Sequence, residues 1–102
     1  ANDGNTHMWQ ADSLANHLAD NYDEINIQKI YLDNYYQEST PGGPRSSATQ
    51  SAINNKVEKG ALLVNYTGHG GPLGWTQERI LEVDQIKKWD NLDNLPLFMT
   101  AT

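Results

Sequence analysis

The sequence predicts an α/β fold: a mainly parallel sheet with flanking helices, read as an incomplete part of a larger domain. Three observations predict it. The apolar patterning runs helix, strand, helix, strand, short helix, strand, an order that needs crossover connections and hence parallel strands. Residues 61–67 form a nearly continuous apolar run, the signature of a strand buried on both faces of a parallel sheet. A third apolar run, 97–102, is still strand-like where the 102 residues end. Three parallel strands need cover on both faces, and few helices are on hand to supply it. Residues 1–102 are therefore expected to be a single partial domain.

Taken in order, residues 1–7 are a polar entry loop in which Asn5 or Thr6 is placed to cap a helix. From Met8 to about Tyr22, Ala11, Leu14, Ala15, Leu18, Ala19 and Tyr22 recur at three- and four-residue spacing, which predicts an amphipathic helix. Ile25 to Leu32 is rich in β-branched residues and reads as a strand. Residues 33–45 contain Pro41-Gly42-Gly43-Pro44 and read as a loop. Ser46 or Ser47 caps a second helix to about Lys59, with Ala48, Ala52, Ile53 and Val57 on one face and Gly60 as its stop. After the strand 61–67 comes Gly68-His69-Gly70-Gly71. Asp84 is placed to cap a short helix from Gln85 to about Asp90, and Trp9 and Trp89 read as packing residues on helices.

Composition narrows the function classes. Seven Lys and Arg against 13 Asp and Glu give a net charge of −6, the wrong sign for a nucleic-acid backbone or a bare anionic membrane. No apolar run approaches the roughly 18 residues that span a bilayer. No signal peptide is visible at Ala1, so any such segment is expected to have been removed or to lie elsewhere. Cysteine is absent, which excludes a disulfide framework, a thiolate zinc site and a cysteine nucleophile within these residues. His7, His17 and His69 are far apart in sequence, and the acids lack EF-hand spacing, so no metal site is expected.

In open α/β sheets functional groups gather at the carboxyl ends of strands. His69 sits at such an end. Its flanking glycines permit a sharp turn, a close approach of backbone to ligand, and free N–H groups aimed at developing negative charge. An imidazole there is suited to general acid–base work near neutral pH. The competing reading is a Gly-rich turn with a purely structural role. Neither phosphate-cradling pattern, G-x-x-x-x-G-K-[ST] nor G-x-G-x-x-G, fits residues 68–74.

Val64-Asn65-Tyr66-Thr67-Gly68-His69-Gly70, Trp75 and Leu95-Pro96-Leu97-Phe98-Met99-Thr100-Ala101-Thr102 together resemble the catalytic core of the gingipain-type cysteine peptidases, which have a caspase-like α/β fold. Gly74 to Leu81 (Gly-Trp-Thr-Gln-Glu-Arg-Ile-Leu), Tyr31-Leu32-Asp33 and Gln37 to Gly43 are most similar to the sortase branch of the type IX secretion system, the PorU-type proteins of Bacteroidetes. The resemblance covers nearly all 102 residues.

That resemblance implies a set of roles. His69 takes the place of the dyad histidine, and the Gly70 N–H contributes to the oxyanion hole. The nucleophilic Cys is implied immediately after Thr102, so residues 1–102 alone are expected to be inactive, because no acyl-enzyme can form without the thiol. His7 falls near the position of a substrate-binding acid, and being no acid it does not suit an arginine side chain. Asp3 falls near the acid that orients the dyad His. Plain loop or cap duty is the rival reading of both residues. Trp75 has two readings, as a wall of the substrate cleft or as packing beneath the loop. The activity implied is cleavage of C-terminal secretion signals from secreted cargo proteins, coupled to their attachment to surface lipopolysaccharide. The implied setting is secreted or outer-membrane surface, with other secretion-system components as partners and no cofactor. The rival function is a non-catalytic α/β binding or assembly module. An uncovered sheet also leads us to expect marginal stability or self-association of residues 1–102.

Overall fold

The computed structural model describes residues 4–102. Helix α1 spans Thr6–Asn21, starting two residues earlier than the spacing predicts. Asn5 occupies the N-cap position in a left-handed conformation (φ 68°), and its side chain makes no cap hydrogen bond, contrary to expectation. The α1 face with Ala11, Ala15 and Leu18 is half-buried, and the helix packs against the strand Leu63–Thr67. No α1 residue is fully buried, and Trp9, expected to pack, is 62% exposed.

Residues 25–31 are not a strand. They run without ladder partners into a 3-10 turn at Leu32–Asn34. β-Propensity is realised only where a neighbouring strand accepts the backbone bonds. Here the side chains choose other partners. Ile30 and Leu32 pack on the core, while Lys29 Nζ and Tyr31 Oη reach Asp12 of α1 at 2.8 and 2.6 Å. The segment read as a loop instead contains an antiparallel hairpin, β1 (Glu38–Thr40) with β2 (Gly43–Arg45), closed at Pro41-Gly42.

Helix α2 (Ser47–Lys59) begins and ends where expected. Ser46 Oγ accepts from the Thr49 N–H, bonds the Thr49 hydroxyl at 2.7 Å and donates to the Tyr36 carbonyl at 2.9 Å. Gly60, at φ 111°, ends the helix in a conformation that favours glycine. The buried stripe is Thr49, Ile53 and Val57, so Thr49 takes the inward place expected of Ala48. The threonine hydroxyl closes the cap as well as filling space.

Strands β3 (Leu63–Thr67) and β6 (Leu97–Ala101) pair in parallel, in the register Leu63↔Leu97 through Thr67↔Ala101. The α/β arrangement with a parallel sheet is thus present, but the parallel sheet has two strands where three were expected. Val64, Tyr66 and Phe98 alternate toward the core with Leu63, Asn65, Leu97 and Met99 on the exposed side. The apolar run 61–67 is therefore buried on one face only, with Leu62 91% exposed. The core is Ile53 and Val57 of α2, Tyr66 of β3, and Ile80 and Leu81, ringed by Ile30, Leu32, Trp75, Trp89 and Phe98.

The glycines after β3 open a second hairpin, β4 (Gly70–Gly71) with β5 (Gly74–Trp75), which sequence patterning does not reveal. Helix α3 (Val83–Lys87) is capped by Glu82 and not by Asp84, which lies in its first turn. Glu82 and Gln85 form a reciprocal capping box. Trp89 packs as expected, stacking on Phe98 with its indole N–H donated to Asn54 Oδ1 at 2.7 Å. Among the described residues no helix is long and apolar enough to cross a membrane.

Candidate active site

The site is built from the end of β3. The parallel ladder continues one bond past the strand, the Gly68 N–H donating to the Ala101 carbonyl at 3.0 Å. The Tyr66 side chain then folds forward over the chain. A Cβ at position 68 would lie 2.5 Å from the Tyr66 hydroxyl oxygen and 2.8 Å from its Cζ, so any larger residue would push the Tyr66 ring aside. That placement lets Tyr66 Oη donate to the His69 carbonyl at 2.5 Å. The same carbonyl accepts the Thr76 N–H at 2.9 Å. His69 is thus held by its backbone from two sides, while its imidazole is exposed.

Burial, then the negative charge of Glu78, pushes the Tyr66 phenol up to about 12, with the Thr76 backbone hydrogen bond opposing both. Tyr66 is therefore a neutral donor across the physiological range. Trp75 stacks flat on the Tyr66 ring, centroids 4.0 Å apart and planes within 5°. It is half-buried beneath the loop and does not line the groove beside His69. A buried tyrosine two residues before the Gly-rich turn was the missed signal for how His69 is anchored.

His7 and His69, 62 positions apart in sequence, meet in space. Their imidazoles form an edge-to-face contact with centroids 4.7 Å apart and planes at 76°. His7 comes from the first turn of α1, which packs on β3, so the helix–strand contact carries it there. Asp3 lies outside the described residues. His17 is exposed on α1, its Nδ1 beside the Asn21 side-chain amide. Among the described residues no three His, Cys, Asp or Glu side chains gather to hold a metal.

Gly70 abuts the end of β6. A Cβ at position 70 would stand 3.2 Å from the Thr102 methyl group. A groove of about 380 Å³ opens beside His69, Gly70 and Gly71, walled by the β1–β2 turn with Arg45 and by the segment carrying Thr76, Gln77 and Arg79. Sequence reading singled out neither arginine. An exposed imidazole with an anchored backbone, at the carboxyl end of a parallel strand and facing a groove, can accept and return a proton.

The family model of peptidase family C25 matches residues 1–102. No curated protein and no solved structure gives a significant match. The chain therefore belongs to peptidase family C25, the gingipain family of cysteine peptidases.

Proposed function

We propose that residues 1–102 form part of the catalytic domain of a cysteine endopeptidase or transpeptidase. His69 is its dyad base, and the nucleophilic Cys is the residue after Thr102 in the full-length chain. The observation that carries this reading is the register. Thr67 opposes Ala101, so continuing the ladder sets Gly68 against Thr102 and His69 against the next position. Adjacent strands lie about 4.8 Å apart, within reach of an imidazole and a thiol that lean toward each other.

In this mechanism His69 takes the thiol proton as the sulfur attacks the scissile carbonyl, and returns it to the leaving amine. The Gly70 N–H faces the developing oxyanion, close to the end of β6. The anchor on the His69 carbonyl keeps the ring from drifting as charge passes through it. His7 stands against the imidazole, and Asp3 is proposed to orient it.

The reaction class follows from the motif resemblance. Gly74 to Leu81, Tyr31-Leu32-Asp33 and Gln37 to Gly43 favour a sortase-like enzyme of type IX secretion, cleaving the C-terminal signals of secreted cargo at the bacterial outer-membrane surface. The rival, a non-catalytic binding or assembly module, requires another residue after Thr102.

The test is covalent labelling of the full-length protein by a thiol-directed peptide electrophile at neutral pH. A free thiol is mostly protonated at pH 7, and an imidazole partner supplies the thiolate. His69→Ala should slow labelling by about 10²-fold or more, and His17→Ala should label like the unaltered protein. Equal rates for the two variants would make the Gly-His-Gly turn structural and overturn the proposal.

A further inference from the structure

We propose that the groove beside His69 recognises a carboxylate on the peptide substrate through Arg45 and Arg79; this rests on reading the groove as the peptidase cleft. The chain holds only two arginines among 102 residues, and both line this one groove. It holds 13 acids, yet among the described residues no Asp or Glu lines it. In a protein of net charge −6 the groove is a local positive site in a negative field. Basic substrates would meet no counter-charge there.

Neither arginine is spent on an internal ion pair among the described residues. The Arg45 guanidinium donates to the Pro44 and Gly42 carbonyls at 2.6 and 3.0 Å. Those bonds fix it against the β1–β2 turn and leave other N–H donors for a ligand. Glu38 opposes Arg45 across the hairpin, but its carboxylate is committed to the Ser47 N–H and hydroxyl at 3.3 and 3.2 Å. A guanidinium held on a turn with donors to spare is suited to a planar carboxylate.

Arg79 is placed by strained backbone. Thr76 and Arg79 are non-glycine residues with positive φ, 59° and 52°, and both line the groove. Such conformations persist where the surroundings over-determine them, and they cluster at ligand clamps. Here the restraints are explicit. The Arg79 N–H donates to the Thr76 carbonyl at 3.3 Å, the Ile80 N–H to the Trp75 carbonyl at 3.0 Å, and Gln50 Nε2 to the Arg79 carbonyl at 2.7 Å. An extended backbone at residue 79 would give its side chain a different direction. The segment that carries Arg79 also supplies the Thr76 N–H that anchors His69, so the charge and the imidazole share one scaffold.

The carboxylate can be an Asp or Glu side chain or a free peptide C-terminus, and peptide design separates the two. Fluorescence anisotropy on the full-length protein would compare a short Glu-containing peptide with its Gln counterpart, each with a free and an amidated C-terminus. Charge-assisted bonds to a guanidinium predict at least about tenfold weaker binding when the recognised carboxylate becomes an amide. Arg79→Gln should erase most of that preference, Arg79→Lys should keep part of it, and added salt should shrink it. Should Arg79→Gln fail to fold, the comparison of peptides on the unaltered protein and Arg79→Lys still decides.

Equal binding of acid and amide peptides overturns the proposal. So does a folded Arg79→Gln with its preference intact, or tight binding of a single-stranded oligonucleotide without any peptide carboxylate preference. Cleavage that depends on His69 but ignores the carboxylate would overturn this inference and leave the peptidase reading standing. A carboxylate preference in binding with no His69-dependent thiol labelling would do the reverse.

Discussion

Replacing Tyr66 by Phe tests the anchor of His69 with one atom. The ring, its burial and its stack on Trp75 are kept, and only the hydroxyl that donates to the His69 carbonyl is lost. That carbonyl retains the Thr76 N–H, so no buried acceptor is orphaned. The expected loss is that of a single neutral hydrogen bond, about 1 kcal/mol near neutral pH.

The alkaline behaviour tests the burial of the same phenol. The folded phenol titrates at about 12, against 10.0 for the exposed group, mainly because it is buried. Below pH 10 both folded and unfolded states keep the proton, and the contribution does not vary. Between pH 10 and 12 the unfolded chain releases its proton while the folded one holds it, so stability falls as pH rises. The two-unit window corresponds to roughly 2–3 kcal/mol. Tyr66→Phe should therefore be less stable than the unaltered protein at pH 8 and should lose part of the alkaline decline. Tyr31, also raised to about 12 by burial and by Asp12, titrates in both proteins and cancels in the comparison. The assay is urea denaturation followed by tryptophan fluorescence from pH 8 to 12. Equal stability at pH 8 would refute the anchor, and parallel alkaline slopes would refute the burial-driven shift of the phenol.

Two further outcomes follow from local geometry. Gly74→Ala should destabilise the protein by about 2 kcal/mol or more, since Gly74 sits at φ 141° and an added Cβ would lie 2.5 Å from the Leu81 carbonyl oxygen; thermal unfolding measures the loss, and His69-dependent labelling should weaken with it. Asp12→Asn should remove an acid-sensitive contact. The Lys29 hydrogen bond, followed by that of Tyr31, holds the Asp12 carboxyl below its usual 3.8, so its contribution is present above that value and is lost as pH falls through the lowered one. The pair is exposed, so the effect should be small and screened by salt, read as a flatter acid limb in the melting temperature between pH 5 and about 2.

Local chemistry made much of this protein legible. Ser46 and Gly60 bound α2 because capping depends on a few adjacent residues. The parallel pairing of 63–67 with 97–101 follows from two apolar runs joined by a crossover. His69 falls just beyond the strand end, one residue after the last ladder bond at Gly68. The motifs around it pointed to the family that the family comparison found. Elements that depend on a partner were the ones misread. Ile25 to Leu32 has strand composition but no neighbouring strand, and Pro41-Gly42 closes a hairpin because Glu38–Thr40 and Gly43–Arg45 find each other. Asp84 yielded the cap to Glu82 because a reciprocal bond with Gln85 outcompetes a lone carboxylate.

The α/β class, helix α2, the pairing of β3 with β6 and the place of the histidine at a strand end are legible in the residues alone. These rest on periodicity, capping and handedness, which act over a few residues or follow from chain chirality. What surrounds that histidine is set by packing between distant segments. His7 reaches it from 62 positions away. Tyr66 and Thr76 grip its carbonyl. Arg45 and Arg79, 34 positions apart, converge on one groove. Such meetings are set by how a two-stranded sheet, two hairpins and a helix pack around a small core. Sequence spacing carries no direct record of that packing.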